Sequence, residues 1–526
     1  MSVALALLAF VSGASAQIYG DLHDFNSADG ANPSDPQVLA EGRDGNLYGT
    51  TPGGGQGGGV VFRITPAGLQ TVLYTFTGSD GYVPNAGLTL GLDGNFYGTT
   101  ILGGVHSLGA IYKITAGGGL TVLYSFTGGS DGAYPYATPV LGNDGNLYGV
   151  TQSATAYKIT PLGTFTVLGT LPSRSFAPLF LGADGDFYGT TQHGGTFNQG
   201  TVFRMTPAGK ITVIYSFDGT THGGVPWGGV VQAAGNFYGT TTAGGSGGGV
   251  VYRLTPTGSL TVIHNFPVGS QTDGSDPIAG LLFASNGFFY GTTFSGGSGG
   301  YGDLFQINAN GQSYVDIYDF QNTFGSNPSS NLVQHTNGFV YGMATHGGLN
   351  GDGVLFSLAL NLGATVKPVL SSGRVGGTVE VLGSGFLAVT GITFGGIAAS
   401  PTSIKVISDT YLTVAVPPGA RNGPLTVYTS TGSMSSMTPF TVLPPIPKIT
   451  TFNPTSGPVG TSVTITGSGF TGASKVTFGG ISATSFTVDS DIQVTAIVPT
   501  GAQTGKIGIT TAGGLATSSG IFTVTP

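Results

Sequence analysis

The octet DGNFYGTT at residues 93–100 recurs, with small changes, through two thirds of the chain. Copies begin at 44 (DGNLYGTT), 144 (DGNLYGVT), 184 (DGDFYGTT), 234 (AGNFYGTT), 286 (NGFFYGTT) and 337 (NGFVYGMA). Their tyrosines, Tyr48, Tyr97, Tyr148, Tyr188, Tyr238, Tyr290 and Tyr341, are spaced by 49, 51, 40, 50, 52 and 51 residues. A period near 50 residues, filled with aromatic and β-branched side chains, points to four-stranded units arranged as propeller blades rather than to a helical repeat.

One unit shows the pattern. GLTLGL (87–92) reads as strand a, Asp93-Gly94 as a hairpin turn and NFYGTT as strand b. The Gly-rich ILGGVHSLG leads to strand c (AIYKIT), and AGGG turns into strand d, TVLYSF (121–126). Gly and Asp supply the backbone angles that tight hairpins need. Strands a to c occur seven times, yet strand d follows only six of them, and the seventh d is IYGDLHDF at 18–25. The expected fold is therefore all-β: a seven-bladed β-propeller over residues 17–362, whose N-terminal strand closes the last blade and removes exposed sheet edges. The short step of 40 residues fits TQSATAYKIT, which has lost its long b–c loop.

The octet reads as architecture. Its turn Asp becomes Asn286, Asn337 or Ala234 while Gly persists in every copy, which follows turn chemistry and not ligand chemistry. The Tyr and Thr of strand b are expected to pack between neighbouring blades.

After Leu360 the pattern changes. SGRVGGTVEVLGSGF (372–386) and SGPVGTSVTITGSGF (456–470) match at an offset of 84, FGGI recurs on the same offset, and VPPGARNG and VPTGAQTG follow at 82. These predict two Ig-like β-sandwiches, residues 363–443 and 446–526, joined by the stiff LPPIP. NPTSGPVGTSVTITGSGF, VTFGG and AIVPTGAQTGKIGITTAGG resemble the IPT/TIG family; the first module departs, with Arg374 where the second has Pro458. The repeats resemble the GloVer tandem-repeat family of exported bacterial proteins. That resemblance implies export and tandem repeats and no particular activity, and IPT/TIG modules imply spacers or binding additions.

The N-terminal MSVALALLAFVSGASAQ carries an apolar run from Val3 to Val11, with no Lys or Arg before it, and then Ala14-Ser15-Ala16. It reads as a signal peptide, residues 1–16, and the expected location is secreted or at the cell surface. No further segment is apolar over a bilayer's thickness, so membrane insertion is not expected. With 7% charged residues and a net charge of −8 the chain has no nucleic-acid footprint, and the lack of Cys excludes disulfides, zinc–thiolate sites and a Cys nucleophile.

Long d–a and b–c loops nominate one functional face. The d–a loops carry Asp80, Asp131, Asp218 and His222 beside Tyr82, Tyr134, Tyr136 and Trp227, the sole Trp. Aromatic faces beside carboxylates suit sugar binding, so these eight residues are the candidate ligand site and a polysaccharide or surface polymer the candidate partner. The competing reading makes each Asp a turn residue bonded to its own backbone and Trp227 a packing residue. No cofactor is expected; Ca²⁺ is the ion the Asp-rich loops would take, although no EF-hand or RTX spacing occurs. With only Glu41 and Glu380, a paired-Glu glycosidase is excluded, and no GxSxG, HExxH or P-loop is present. The expected role is non-catalytic recognition. A hydrolase or lyase using loop aspartates and a purely structural surface role are the alternatives. Nothing in the sequence sets the oligomeric state.

Overall fold

The computed structural model describes residues 18–34 and 38–526; the signal-peptide reading of residues 1–16 lies outside them. The chain is all-β, with three short 3₁₀ turns as its only helical elements among the described residues. Units beginning with Ala40–Glu41, Thr89–Leu90, Val140–Leu141, Phe180–Leu181, Val231–Ala233 and Leu282–Phe283 each form a four-stranded antiparallel sheet in the order a-b-c-d. One further sheet is composite: Val333–Gln334, Val340–His346 and Val354–Leu358 are completed by Tyr19–Asp24, which runs antiparallel to Val354–Leu358. The strand missing from the end of the repeats is thus supplied from the start of the chain.

The octet explains both the turn and the packing. In Asp93-Gly94-Asn95-Phe96-Tyr97, Gly94 takes φ 77°, a left-handed conformation that Gly adopts without steric cost. The Asp93 carboxylate accepts the Asn95 amide at 3.1 Å and the Tyr97 hydroxyl at 2.8 Å. Asp44, Asp144 and Asp184 hold Tyr48, Tyr148 and Tyr188 in the same way. Each tyrosine ring then reaches the next sheet: Tyr48 stacks on Phe96 at 4.0 Å, Tyr148 on Phe187 at 4.2 Å, and Tyr188 and Tyr238 meet Phe237 and Phe289. The Gly after Tyr makes room for the strand-c aromatic, since a Cβ on Gly149 would lie 2.3 Å from the Tyr157 ring. The first Thr crosses between units, as Thr50 Oγ1 donates to the Ala86 carbonyl at 2.6 Å and Thr240 Oγ1 to Ala279 at 2.9 Å.

Each sheet shares a buried core with the next. Tyr48 and Phe76 join Phe96 and Tyr112; Tyr148 and Leu171 join Phe187 and Phe203. The last sheet also shares a core with the first, where Tyr341, Met343 and Leu355 pack with Phe25, Leu39 and Phe62. A buried polar contact lies at that junction: His335 Nε2 is 3.3 Å from Glu41, which also accepts the Thr336 hydroxyl.

Beyond residue 363, Lys367–Pro368, Thr378–Leu382, Tyr411–Ala415 and Lys405–Val406 form one four-stranded sheet, and Ile397–Ala398, Val389–Phe394, Leu425–Thr429 and Gly432–Ser435 another, around Val381, Phe394, Leu412 and Phe440. Residues 448–524 build a similar pair of sheets around Ile465, Phe478 and Phe522. Arg374, the departure noted above, donates to the linker carbonyl of Pro444 (3.1 Å) and to Gly513 of the last unit (3.0 Å). Arg43 of the first a–b turn pairs with Glu380 at 2.6 Å, lies over the Tyr411 ring and receives the Thr410 hydroxyl on its carbonyl. The a–b turn end of the repeats therefore carries the C-terminal units.

Phe25 is fully buried between the first and last sheets. Phe25→Ala is expected to lower unfolding free energy by about 3–5 kcal/mol, read as a fall in denaturation midpoint by tyrosine fluorescence or circular dichroism.

Candidate functional site

Antiparallel order places the a–b and c–d turns at one end of every sheet and the b–c and d–a loops at the other. At that second end each d–a loop finishes in a lead-in to strand a. Six lead-ins contain proline: Pro33-Ser34, Pro84-Asn85, Pro135-Tyr136, Pro226-Trp227, Pro277-Ile278 and Pro328-Ser329; the seventh is Ser175-Phe176. The residue before each proline has positive φ: Asn32 (52°), Val83 (58°), Tyr134 (57°), Val225 (54°), Asp276 (57°) and Asn327 (56°). Bonds on both sides hold this uncommon conformation. The Val83 amide donates to Gly58 of the preceding b–c loop (3.0 Å), and its carbonyl accepts Ile101 of the following sheet (3.0 Å). Tyr134 does the same between Leu108 and Gln152, and Val225 between Gln199 and Thr242.

Neighbouring lead-ins lie side by side. The Leu88 amide donates to the Val38 carbonyl, the Gly280 amide to Asn331, and the Ser34 hydroxyl to Asn85. Three consecutive lead-ins present aromatic rings. Tyr136 meets Phe176 edge to face (centroids 5.0 Å apart, 82°), and Phe176 stacks on Trp227 (4.7 Å, 29°). All three are half-buried, so ring surface remains open to solvent. The Arg174 guanidinium lies 5.5 Å from the Phe176 centroid. This arc sits beside the unit with the shortest loops at this end, the one whose tyrosine step is 40 residues.

The structure thus brings together Tyr136 and Trp227 of the sequence-based set, through Phe176, which that set lacked. Phe176 was legible in one respect: it precedes Ala177 as Asn85 precedes Ala86 and Tyr136 precedes Ala137. It was missed because its lead-in lacks the proline that marks the others. Tyr134 is placed as a clamp, with its backbone fixed on both sides. Tyr82 stands apart, 39% exposed and bonded through its backbone to Leu102 of a b–c loop.

The loop aspartates are engaged within their own turns. Asp80 accepts the Tyr74 hydroxyl (2.5 Å) and the Thr77 and Gly78 amides (both 3.0 Å). Asp131 accepts the Thr127 amide (2.7 Å), the Thr127 hydroxyl (2.6 Å) and the Tyr124 hydroxyl (2.9 Å). Asp218 accepts the Thr220 amide (2.8 Å) and stands 2.6 Å from His222 Nδ1. Burial works to raise these carboxyls, but the hydrogen bonds outweigh it and hold all three below the ordinary value. They stay ionised as turn-forming acceptors, the competing reading above. Among the described residues no group of three or more His, Asp or Glu side chains is placed to hold a metal ion.

A different carboxyl is perturbed upward. Asp303, at the start of strand c in the sixth unit, is fully buried; it accepts the Thr293 hydroxyl at 2.6 Å, while Oδ2 has no protein partner. Burial, reinforced by Asp316, Asp273 and Asp319, pushes it up to about 7 from 3.8, against the Thr293 bond. Between these values the fold binds a proton that the unfolded chain has released. Asp303 thus contributes stability that is complete below about pH 4 and lost as pH rises to 7. Denaturation midpoints measured from pH 4 to 8 are expected to fall less steeply in Asp303→Asn than in the parent. Parallel slopes would contradict the assignment.

The Gloeobacter/Verrucomicrobia repeat matches residues 12–178 and 174–396, and the IPT/TIG domain matches residues 447–525. No curated protein matches the chain. Similar solved structures include SGBP-B from a complex xyloglucan utilization locus in Bacteroides uniformis (23% identity, 30% of this chain and 48% of that one, TM-score 0.16). They also include a surface glycan-binding protein from Prevotella bryantii (19%, 30% and 41%, TM-score 0.22) and a fungal alcohol oxidase of the AA5 family in complex with copper (14%, 79% and 98%, TM-score 0.45). The chain spans about half the length of the Bacteroides protein. Among the described residues no helix is long and apolar enough to cross a membrane.

Proposed function

The chain belongs to the Gloeobacter/Verrucomicrobia repeat family, and from that premise we propose an exported, non-catalytic carbohydrate-recognition protein. In this reading residues 17–362 form a closed seven-bladed propeller, and residues 363–443 and 446–526 are two Ig-like sandwiches serving as a stalk. Closure is supported by the core that the last sheet shares with the first and by the pairing of Tyr19–Asp24 with Val354–Leu358. The stalk is supported by the Arg43–Glu380 pair and the Arg374 bonds, which tie successive units together.

The observation that carries the functional reading is the Tyr136–Phe176–Trp227 arc. Three rings, two of them on clamped lead-ins, pack on one another and stay half-exposed, so the outer surface of the arc offers apolar area to the C–H faces of sugar rings. A hydrolase built on Asp80, Asp131 or Asp218 is disfavoured, because their acceptor positions are filled within the turn and none is poised as a general acid.

Since Trp227 is the sole Trp, its emission reports this site directly. Titration with soluble polysaccharides, among them dextran, xyloglucan, galactan and polygalacturonate, is expected to give a saturable change in intensity or wavelength. Phe176→Ala is expected to weaken binding by about tenfold, the equivalent of about 1.4 kcal/mol. No saturable change across the panel would contradict the reading.

A further inference from the structure

We propose that the arc selects a carboxylate-bearing glycan, a polymer containing uronic acid, through Arg174. The proposal rests on the carbohydrate reading above and assigns the charge class of its ligand.

Cations of the repeat region are placed unevenly. Arg63, Lys113, Lys158, Arg204 and Arg253 lie on strand c opposite the octet tyrosines, Arg43 in an a–b turn and Lys210 in a c–d turn. All belong to the end away from the arc. Arg174 is the one Lys or Arg among the described repeat residues on the d–a and b–c end. It is exposed, and among the described residues no carboxylate lies within ion-pair distance of it, as is also true of Arg63, Lys158, Lys210 and Arg253, whereas Arg43 and Lys113 each have one and Arg204 has two.

Its backbone is tied through the carbonyl. The Arg174 carbonyl accepts the Gln192 amide at 3.1 Å, and its guanidinium stands over Phe176, the middle ring of the arc. A second observation marks the same place. Ser175 and Gln192 are buried, 0% and 5% exposed, and Ser175 Oγ, Gln192 Oε1 and the adjacent His193 Nδ1 all lack a protein hydrogen-bond partner. These atoms lie beneath the surface, so Arg174 is the polar side chain of this place that is open to solvent, next to an apolar platform.

The chemistry that matches is a sugar ring for the half-exposed outer surface of the arc and a planar oxyanion for the guanidinium fork. A carboxylate fits that fork with two parallel hydrogen bonds, a geometry a neutral hydroxyl cannot reproduce. The carboxylates of the flanking d–a loops, Asp131 and Asp218, share those loops with Tyr136 and Trp227, but they accept hydrogen bonds from Thr127, Tyr124 and Thr220 and stand beside His222. The chain's net charge of −8 opposes non-specific attraction of a polyanion. Preference for an acidic glycan therefore depends on the one local cation.

The test compares each acidic polymer with its own neutralised form, using the full-length mature chain. Polygalacturonate and alginate are titrated against Trp227 emission beside their methyl esters, with a sulfated galactan as a separate arm. The parent is expected to bind at least one acid form about tenfold more tightly than its ester, with the preference falling as salt rises. In Arg174→Gln the acid-to-ester ratio is expected to drop to near one, and Arg174→Lys is expected to recover only part of it. Equal affinity for acid and ester, an unchanged ratio in Arg174→Gln, or a preference for the sulfated polymer alone would overturn the proposal. Saturable binding of neutral polymers in those cases leaves the carbohydrate reading standing. Failure of every polymer, neutral or acidic, to perturb Trp227 would remove both.

Discussion

The contact on which the rest depends is the backbone clamp at the end of the six proline-bearing d–a loops. A left-handed residue before proline is disfavoured twice, by its own Cβ and by the proline ring, and a β-branched residue such as Val83 or Val225 most of all. Such a conformation persists only where the surroundings over-determine it, at a cost of about 1–3 kcal/mol each. At Val83, Tyr134, Val225 and Asp276 the clamp amide bonds the b–c loop of one sheet and its carbonyl the start of the next sheet's b–c loop, so one residue fixes two neighbours. The octet threonines add a second tie at the same end, and the tyrosine–phenylalanine stacks tie the other. A sheet of this size has little stability alone; the ties make its neighbours part of its core.

Those ties account for where function can reside. Residues that hold sheets together are inward, paired and repeated, and they leave no free chemistry. The residue that ends each lead-in is different, because it lies beside the adjacent lead-ins and is free of the ladder bonds that tie the sheets. Its identity varies from Ser34 and Asn85 to Tyr136, Phe176, Trp227, Ile278 and Ser329. Three aromatics fall on consecutive units, next to the unit with the shortest loops. Under the proposed function, a surface preorganised in this way would lose little conformational entropy on binding.

Much of this was legible in the sequence, and the exceptions have physical causes. The period of the octet identified the strand order, and the missing seventh strand d identified the completion of the last sheet by Tyr19–Asp24. Persistence of Gly against loss of Asp identified the turn, because Gly94 needs its left-handed φ whereas its neighbour needs only a polar acceptor. The loop aspartates were ambiguous because a ligand carboxylate and a turn carboxylate have the same spelling; only the Thr77, Thr127 and Thr220 amides distinguish them. Phe176 escaped notice because Ser175 replaces the proline that marks the other lead-ins. Arg374 read as a departure from the IPT/TIG pattern, and its partners, Pro444 and Gly513, lie too far along the chain for local sequence to reveal them.

If the octet is scaffold and the lead-ins are the proposed binding surface, ligand should protect the lead-ins alone. Amide hydrogen exchange by mass spectrometry, with and without a polysaccharide that shifts Trp227 emission, tests it directly. Added protection is expected only in peptides spanning 132–138, 172–178 and 222–229, with the octet peptides slow to exchange in both states. Ligand-dependent protection centred on the octets, with the lead-in peptides unchanged, would contradict it.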